Sequence, residues 1–103
     1  MTEKELTDEE TELSISAMDA HNLMEMCNTN GWKIIKEMFF ERRMEECKDY
    51  IRDSKNTDIT ILRAKLFQYE FIQSMLDDIG LTIKIGLERE EELVKRKEKK
   101  KKK

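Results

Sequence analysis

Apolar residues recur every three or four positions along much of this chain, which is the spacing of one side of an α-helix. Over residues 57–80 a single stripe is formed by Leu62, Leu66, Tyr69, Ile72, Leu76 and Ile79. Either Thr57 or Asp58 can cap the first turn of this helix through its side-chain oxygen. Gly80 is expected to end the helix, because glycine adopts the left-handed conformation without strain. The pattern therefore predicts a helix over residues 57–80.

The same helix carries a second apolar set. Phe67, Phe71 and Met75 are spaced by four and lie on roughly the opposite side, at about 100° per residue. A helix with two apolar sides needs two partners, so we assign these three residues to an interface.

Residues 32–53 form another predicted helix with two apolar groups. The first group is Ile34, Ile35, Met38 and Phe39, and the second is Phe40, Met44, Cys47 and Ile51. At about 100° per residue the two groups point in nearly opposite directions, so one partner cannot cover both. Either Asn28 or Asn30 can cap this helix, and Trp32 at its start can anchor a core or an interface. From this helix we assign four residues to an interface, namely Trp32, Phe40, Met44 and Ile51.

The N-terminal part of the chain predicts a helix over residues 8–27. Thr7 and Glu10 have the spacing of a capping box. The apolar stripe contains small residues, which allow close approach to another helix; it consists of Leu13, Ala17, Ala20, Met24 and Cys27. Residues 1–7 are polar and are expected to be disordered.

Two segments follow Gly80. Residues 81–87 alternate between apolar and polar positions, and this pattern fits an extended segment or a restarted helix. Residues 88–103 are almost entirely charged, which predicts a charged helix that continues into a largely disordered lysine tail.

The predicted fold is all-α. A short polar connection at residues 53–56 makes its neighbours antiparallel, which gives a hairpin of residues 31–53 and 57–80 within a helical domain of residues 8–87. The N-terminal helix packs as a third helix. Because both hairpin helices are apolar on two sides, we expect a homo-oligomer, most simply a dimer that forms a coiled-coil-like helical bundle. A charged fraction of 42% and the absence of proline also favour long helices.

The net charge of −3 conceals a strong asymmetry. Residues 95–103 contain eight basic residues and one acidic residue, whereas residues 1–94 are acidic. The cations that can contact nucleic acid or an acidic surface are Lys95, Arg96, Lys97, Lys99, Lys100, Lys101, Lys102 and Lys103. A flexible polycation binds phosphate backbones without reading their sequence. The tail can equally serve solubility, bind anionic lipid or contact the acidic body of its own chain.

Catalytic candidates are few. The single histidine, His21, is six residues from Cys27, which is not a metal-binding spacing on one helix face. Cys47 lies on an apolar face beside two glutamates, a setting that does not activate a thiol. Arg42 and Arg43 are expected to pair with acidic residues three or four positions away. We therefore predict no enzyme, no cofactor and no metal site. No apolar run is long enough to span a membrane. Neither Cys27 nor Cys47 is part of a C-x-x-C motif, so reduced thiols in the cytoplasm are the simplest interpretation, and a disulfide between the two is the alternative.

The segment GWKIIKEMFFERRMEECKDYI, a polar break, and ITILRAKLFQYEFIQSMLDDI together resemble small helical-hairpin accessory proteins of tailed bacteriophages. The resemblance covers residues 31–79. It implies an antiparallel hairpin and a role in a phage accessory or virion-assembly setting, in the host cytoplasm or the virion, with no catalytic residues.

The leading functional hypothesis is a non-enzymatic protein–protein interaction or assembly accessory protein that acts as a helical homo-oligomer. A second hypothesis is a nucleic-acid-binding protein that acts through its lysine tail. A third is an acidic inhibitor of a host protein, since residues 1–94 carry a net charge of −10.

Overall fold

A computed structural model of the chain describes residues 7–101, and the side chains of residues 7–100. The helices are α1 (Asp8–Cys27), α2 (Asn30–Ile35), a π-helical segment (Lys36–Glu41), α3 (Arg42–Arg52) and α4 (Ile59–Lys101). The described residues contain no strand. The predicted all-α class is therefore confirmed. The predicted disordered segment, residues 1–7, lies outside the described residues except for Thr7.

Side-chain caps start three of the helices. Thr7 Oγ1 accepts a hydrogen bond from the Glu10 amide at 3.0 Å, in line with the predicted start of α1. Asp58 Oδ1 accepts from the amides of Thr60 and Ile61 at 2.9 and 3.3 Å, so Asp58 is the cap of α4. The cap of α2 is Thr29, whose Oγ1 accepts from the Trp32 amide at 3.1 Å. The prediction of an asparagine cap at this helix was wrong.

Asp53 ends the helix that α2, the π segment and α3 form together. The backbone of Asp53 is extended, and its carboxylate accepts a hydrogen bond from the Lys55 amide at 3.0 Å. The side chain of Asn56 donates to the Tyr50 carbonyl at 2.9 Å, which satisfies one of the free carbonyls at the end of α3. The predicted polar connection thus closes the helix with its own side chains.

Gly80 does not end α4. The helix continues through Gly80 and Gly86 to Lys101, and no described glycine has a positive φ. The prediction of a stop at Gly80 was wrong, and residues 81–87 are helical. Ile83, Leu87 and Glu90 are all half-buried and are spaced by four and three, so the apparent alternation of residues 81–87 also contains a helical stripe. The predicted charged helix from residue 88 continues as far as Lys101, so the part of the lysine tail that the structure describes is helical, whereas we expected the tail to be largely disordered.

The described residues belong to two compact units. The first unit contains the chain up to Met26 and from Ile79 onward, and the second unit is Cys27–Asp78. In the first unit, α1 packs on the C-terminal part of α4 through Leu13, Ala17 and Ala20, which are at most 7% exposed. Gly86 is buried there beneath Ser16 and Ala20. The predicted small-residue stripe of α1 thus makes a close helix contact.

In the second unit, the α3 segment packs on the first part of α4. Cys47 is fully buried, and its thiol lies 3.5 Å from Gln68 Oε1, to which it can donate a hydrogen bond. The ammonium of Lys65 lies 5.6 Å from the centre of the Tyr50 ring, within the range of a cation–π contact. Ile72 is the other buried apolar residue of this unit among those described. The core of the second unit is therefore small.

Candidate interaction surface

The π segment changes which side chains share a face of the second helix. Trp32 and Phe40 are eight residues apart, an offset of about 80° in a regular α-helix. The amide of Arg42 bonds to the Glu37 carbonyl, five residues back, so the hydrogen-bonded turn there contains one residue more than a turn of an α-helix. The two aromatic rings consequently meet edge to face, with centroids 6.0 Å apart. Both are half-buried, as is Met44 on the side that also carries Cys47.

The other apolar group of this helix remains open. Ile34, Ile35, Met38 and Phe39 are 53%, 43%, 55% and 63% exposed. We call these four residues the outer α2–α3 surface. Next to it, a shallow depression of about 220 Å³ is lined by Met38, Phe39, Arg42, Arg43 and Glu46. The outer α2–α3 surface is therefore an apolar centre with charged side chains at its margin, the composition of a protein–protein contact.

A second open surface lies on α4. Ile59, Leu66, Phe67 and Phe71 are 63%, 47%, 69% and 56% exposed, and we call them the outer α4 surface. The two phenylalanine rings stack on one another at 6.2 Å. A depression of about 210 Å³ beside them is lined by Ile51, Ile59, Leu62, Arg63 and Leu66. Leu66 was expected in the inner stripe of the helix, but it lies at the edge of this surface.

The predicted interface residues fall into two environments. Phe67 and Phe71 are exposed and adjacent, while Met75 is half-buried. Ile51 is 38% exposed, and Trp32, Phe40 and Met44 are half-buried. The interface assignment omitted the outer α2–α3 surface, although its members had been recognised as one apolar group. The sequence shows that the two apolar groups of this helix point in opposite directions. It does not show which group faces α4, because that depends on how the two helices pack.

Charged side chains join α1 to the end of α4 in the first unit. Arg96 Nη2 donates to Glu9 Oε1 and to Glu92 Oε1, both at 2.8 Å, and these bonds raise the pKa of the Arg96 guanidinium. Lys100 Nζ lies 3.2 Å from Glu10 Oε1. The Glu10 side chain is 8% exposed, and its pKa is lowered chiefly by the hydrogen bond from Lys100. The basic end of α4 is thus partly engaged with the acidic first turn of α1.

The predicted cationic contact residues are only in part available to a partner. Lys95, Lys97 and Lys99 are exposed on the last turns of α4, whereas Arg96 and Lys100 hold the acidic residues of α1. Lys101 is helical, and Lys102 and Lys103 lie outside the described residues. The predicted alternative that the tail contacts its own acidic body thus has two ion pairs in its favour.

The residues considered for chemistry have different surroundings. His21 contacts Glu90 in the first unit through its Nε2, Cys27 is half-buried, and Cys47 is buried in the second unit. Arg42 pairs with Glu46 at 3.5 Å, four residues on, as predicted. In the described part of the chain, no three His, Cys, Asp or Glu side chains are grouped so that they could hold a metal ion. Nor does any helix over residues 7–101 have the length and apolarity needed to cross a membrane.

No protein-family model matches this sequence, and no curated protein or solved structure shows significant similarity to it.

Proposed function

We propose that this chain is a non-enzymatic interaction protein that assembles into a helical homo-oligomer through apolar surfaces of its second unit. One observation carries the proposal. Among the described residues, ten of the fourteen exposed large apolar side chains belong to residues 27–78, where only Cys47 and Ile72 are buried apolar residues. An exposed apolar surface larger than the core beside it is typical of a chain that folds with a partner.

The contacts support an antiparallel hairpin as the assembling element. Tyr50 meets Lys65 and Cys47 meets Gln68, so positions that rise along α3 meet positions that fall along α4. A hairpin of this kind presents one outer face on each helix. Pairing such faces between copies yields a bundle with a continuous apolar core.

The setting that we propose is the accessory or assembly apparatus of a tailed bacteriophage, in the host cytoplasm or the virion. The support is the resemblance of residues 31–79 to small helical-hairpin proteins of such phages. An assembly role fits the described residues, whose exposed features are apolar and charged surfaces.

The experiment that tests self-association compares solution masses of three paired variants. Met38→Ser with Phe39→Ser alters the outer α2–α3 surface, and Phe67→Ser with Phe71→Ser alters the outer α4 surface. Ile15→Ser with Met18→Ser is the matched control, because these residues of the first unit are 55% and 62% exposed. We expect at least one second-unit pair to lower the mass measured by light scattering, with the control unchanged. An equal loss in the control would contradict the proposal.

A second candidate function is non-specific binding of nucleic acid by the end of α4. The observation in its favour is the exposure of Lys95, Lys97 and Lys99 close together near the end of α4, within about one helical turn. Removal of residues 95–103 should then abolish binding to double-stranded DNA. The logarithm of the binding constant should fall linearly with the logarithm of the salt concentration, with a slope of about −0.9 per phosphate contact. Binding that survives the truncation would exclude the tail as the effector.

A further inference from the structure

Four exposed charges follow one side of the helix that α2, the π segment and α3 form. Lys33, Glu37, Arg42 and Glu46 are separated by four, five and four residues, and each is exposed. Residues four apart are neighbours on an α-helix surface. The five-residue step spans the π segment, where the Arg42 amide bonds to the Glu37 carbonyl, so this step is also one turn. The four side chains therefore form a single row of alternating sign.

The row borders the outer α2–α3 surface. Ile34 follows Lys33 in sequence and Met38 follows Glu37, so the charged row flanks the apolar residues along their length. Within the chain, Arg42 already pairs with Glu46 at 3.5 Å. Among the described residues, the side chains of Lys33 and Glu37 have no ion pair. These two charges are free to meet a partner.

Because the charges of the row alternate in sign, the row is complementary to a second copy of itself only when the two copies lie antiparallel. When a second copy lies antiparallel, Lys33 faces Glu46 and Glu37 faces Arg42, and a twofold axis repeats both pairs. When the second copy lies parallel and in register, every charge faces its own sign, which is unfavourable. The same antiparallel placement brings the two apolar centres together around Met38 and Phe39.

We propose that the outer α2–α3 surface is where two copies of this chain pair, antiparallel about a twofold axis beside the π segment. The pairing buries the four apolar residues of each copy and places four ion pairs at the margin. The π segment has a function in this arrangement, since without its extra residue Lys33 and Glu37 would be out of line with Arg42 and Glu46. This inference rests on the proposed self-association and identifies the surface responsible for it.

The test is a charge-swap cycle read out as the dimer dissociation constant by sedimentation equilibrium. In the proposed dimer, Glu37 of each copy faces Arg42 of the other copy. Either Glu37→Lys or Arg42→Glu alone therefore places like charges opposite one another at both of these contacts. Each single variant should therefore weaken the dimer by about tenfold, the sum of several exposed pairs of a few tenths to 1 kcal/mol. The double variant restores opposite charges at these positions, so it should return the dissociation constant to within about twofold of the original.

Matched controls change the same charges elsewhere. Glu25→Lys and Lys84→Glu alter exposed residues of the first unit, and they should leave the dissociation constant unchanged. If the original chain dimerises and the charge swaps act no more than these controls, the surface inference is overturned while self-association stands. A chain that is monomeric at every concentration would overturn both proposals.

A cross-link provides an independent readout. In a Cys27→Ser background, Phe39→Cys places a thiol next to the proposed twofold axis, and oxidation should produce a disulfide-linked dimer. Ser74→Cys is the comparison, because it is exposed on α4 within the second unit. Efficient cross-linking through Ser74→Cys and not through Phe39→Cys would assign the contact to α4 and contradict the inference.

Discussion

Gly86 tests the packing of α1 on α4 because the structure leaves no room for a side chain there. A Cβ atom added at Gly86 would overlap with both Ala20 Cβ and the Ser16 carbonyl oxygen, and it would lie 3.3 Å from the Ser16 carbonyl carbon. Two of these three atoms are backbone atoms, which cannot rotate away. Gly86→Ala must therefore push α1 outward along the contact that buries Ala17 and Ala20.

Two opposing effects decide the size of the change. Alanine is favoured over glycine inside a helix by about 1 kcal/mol. Overpacking a tight contact costs about 1–3 kcal/mol, and the upper end applies where backbone must move. The net expectation is a loss of about 1–2 kcal/mol in the free energy of unfolding. For a chain of this size, that corresponds to a fall of roughly 4–16 °C in melting temperature.

Gly80→Ala is the matched control, because Gly80 lies in the same helix and an added Cβ there has nothing within 4 Å. It should raise the free energy of unfolding by about 0.5–1 kcal/mol through helix propensity alone. Both variants are compared by thermal and urea denaturation followed by far-ultraviolet circular dichroism, at one protein concentration. If Gly86→Ala stabilises the chain as much as Gly80→Ala does, α1 does not pack on α4 at this point.

Three further outcomes are expected in denaturation experiments. Cys47→Ala should cost about 1 kcal/mol by opening a small cavity in the core of the second unit, and Cys27→Ala at a half-buried position should cost less. Because Lys100 lowers the pKa of Glu10, the stability that Glu10 contributes is present above its ordinary value of 4.5 and is lost as the pH falls through the lowered value. In Glu10→Gln, the free energy of unfolding should fall less steeply as the pH is lowered through this range. An unchanged dependence on pH would refute the assignment. Asp58→Ala should cost about 1 kcal/mol by removing the cap of α4, and no loss would contradict the capping role.

Helix existence could be predicted from spacing, because apolar stripes and capping residues are local signals. The starts of α1 and α4 followed from Thr7 and Asp58, whose side chains reach the free amides of the first turn. The small stripe of α1 predicted a close helix contact. Gly86 could not be predicted as the partner at that contact, because it lies in residues 81–87, where apolar and polar positions alternate as in a strand.

The failure at Gly80 has a physical reason. Glycine permits a left-handed helix end but does not impose one, and the choice depends on what the following residues can pack against. Here Ile83, Leu87 and the buried Gly86 lie against α1, which favours continuing α4. Whether α4 continues past Gly80 therefore depends on α1, which lies some 65 residues earlier in the sequence, and the residues near Gly80 alone do not predict it.

The π segment could not be predicted from the sequence either. It affects which apolar residues of the second helix share a face and which remain exposed. At a constant 100° per residue, the two apolar groups of residues 32–53 are in nearly opposite directions, and nothing local decides which faces α4. The extra residue aligns Trp32 with Phe40 and leaves Phe39 and its neighbours exposed. Sequence reasoning identified two-sided apolarity correctly, but only the packed structure shows which side remains open.

The central claim is that the open apolar surfaces of the second unit are covered by further copies of the chain. Light scattering coupled to size exclusion, on the full chain and on a form that ends at Val94, tests this most directly. The account predicts at least twice the mass of one chain in both forms, where one full chain is 12.4 kDa and the shortened chain is correspondingly lighter. A mass of one chain at every concentration in both forms would contradict it.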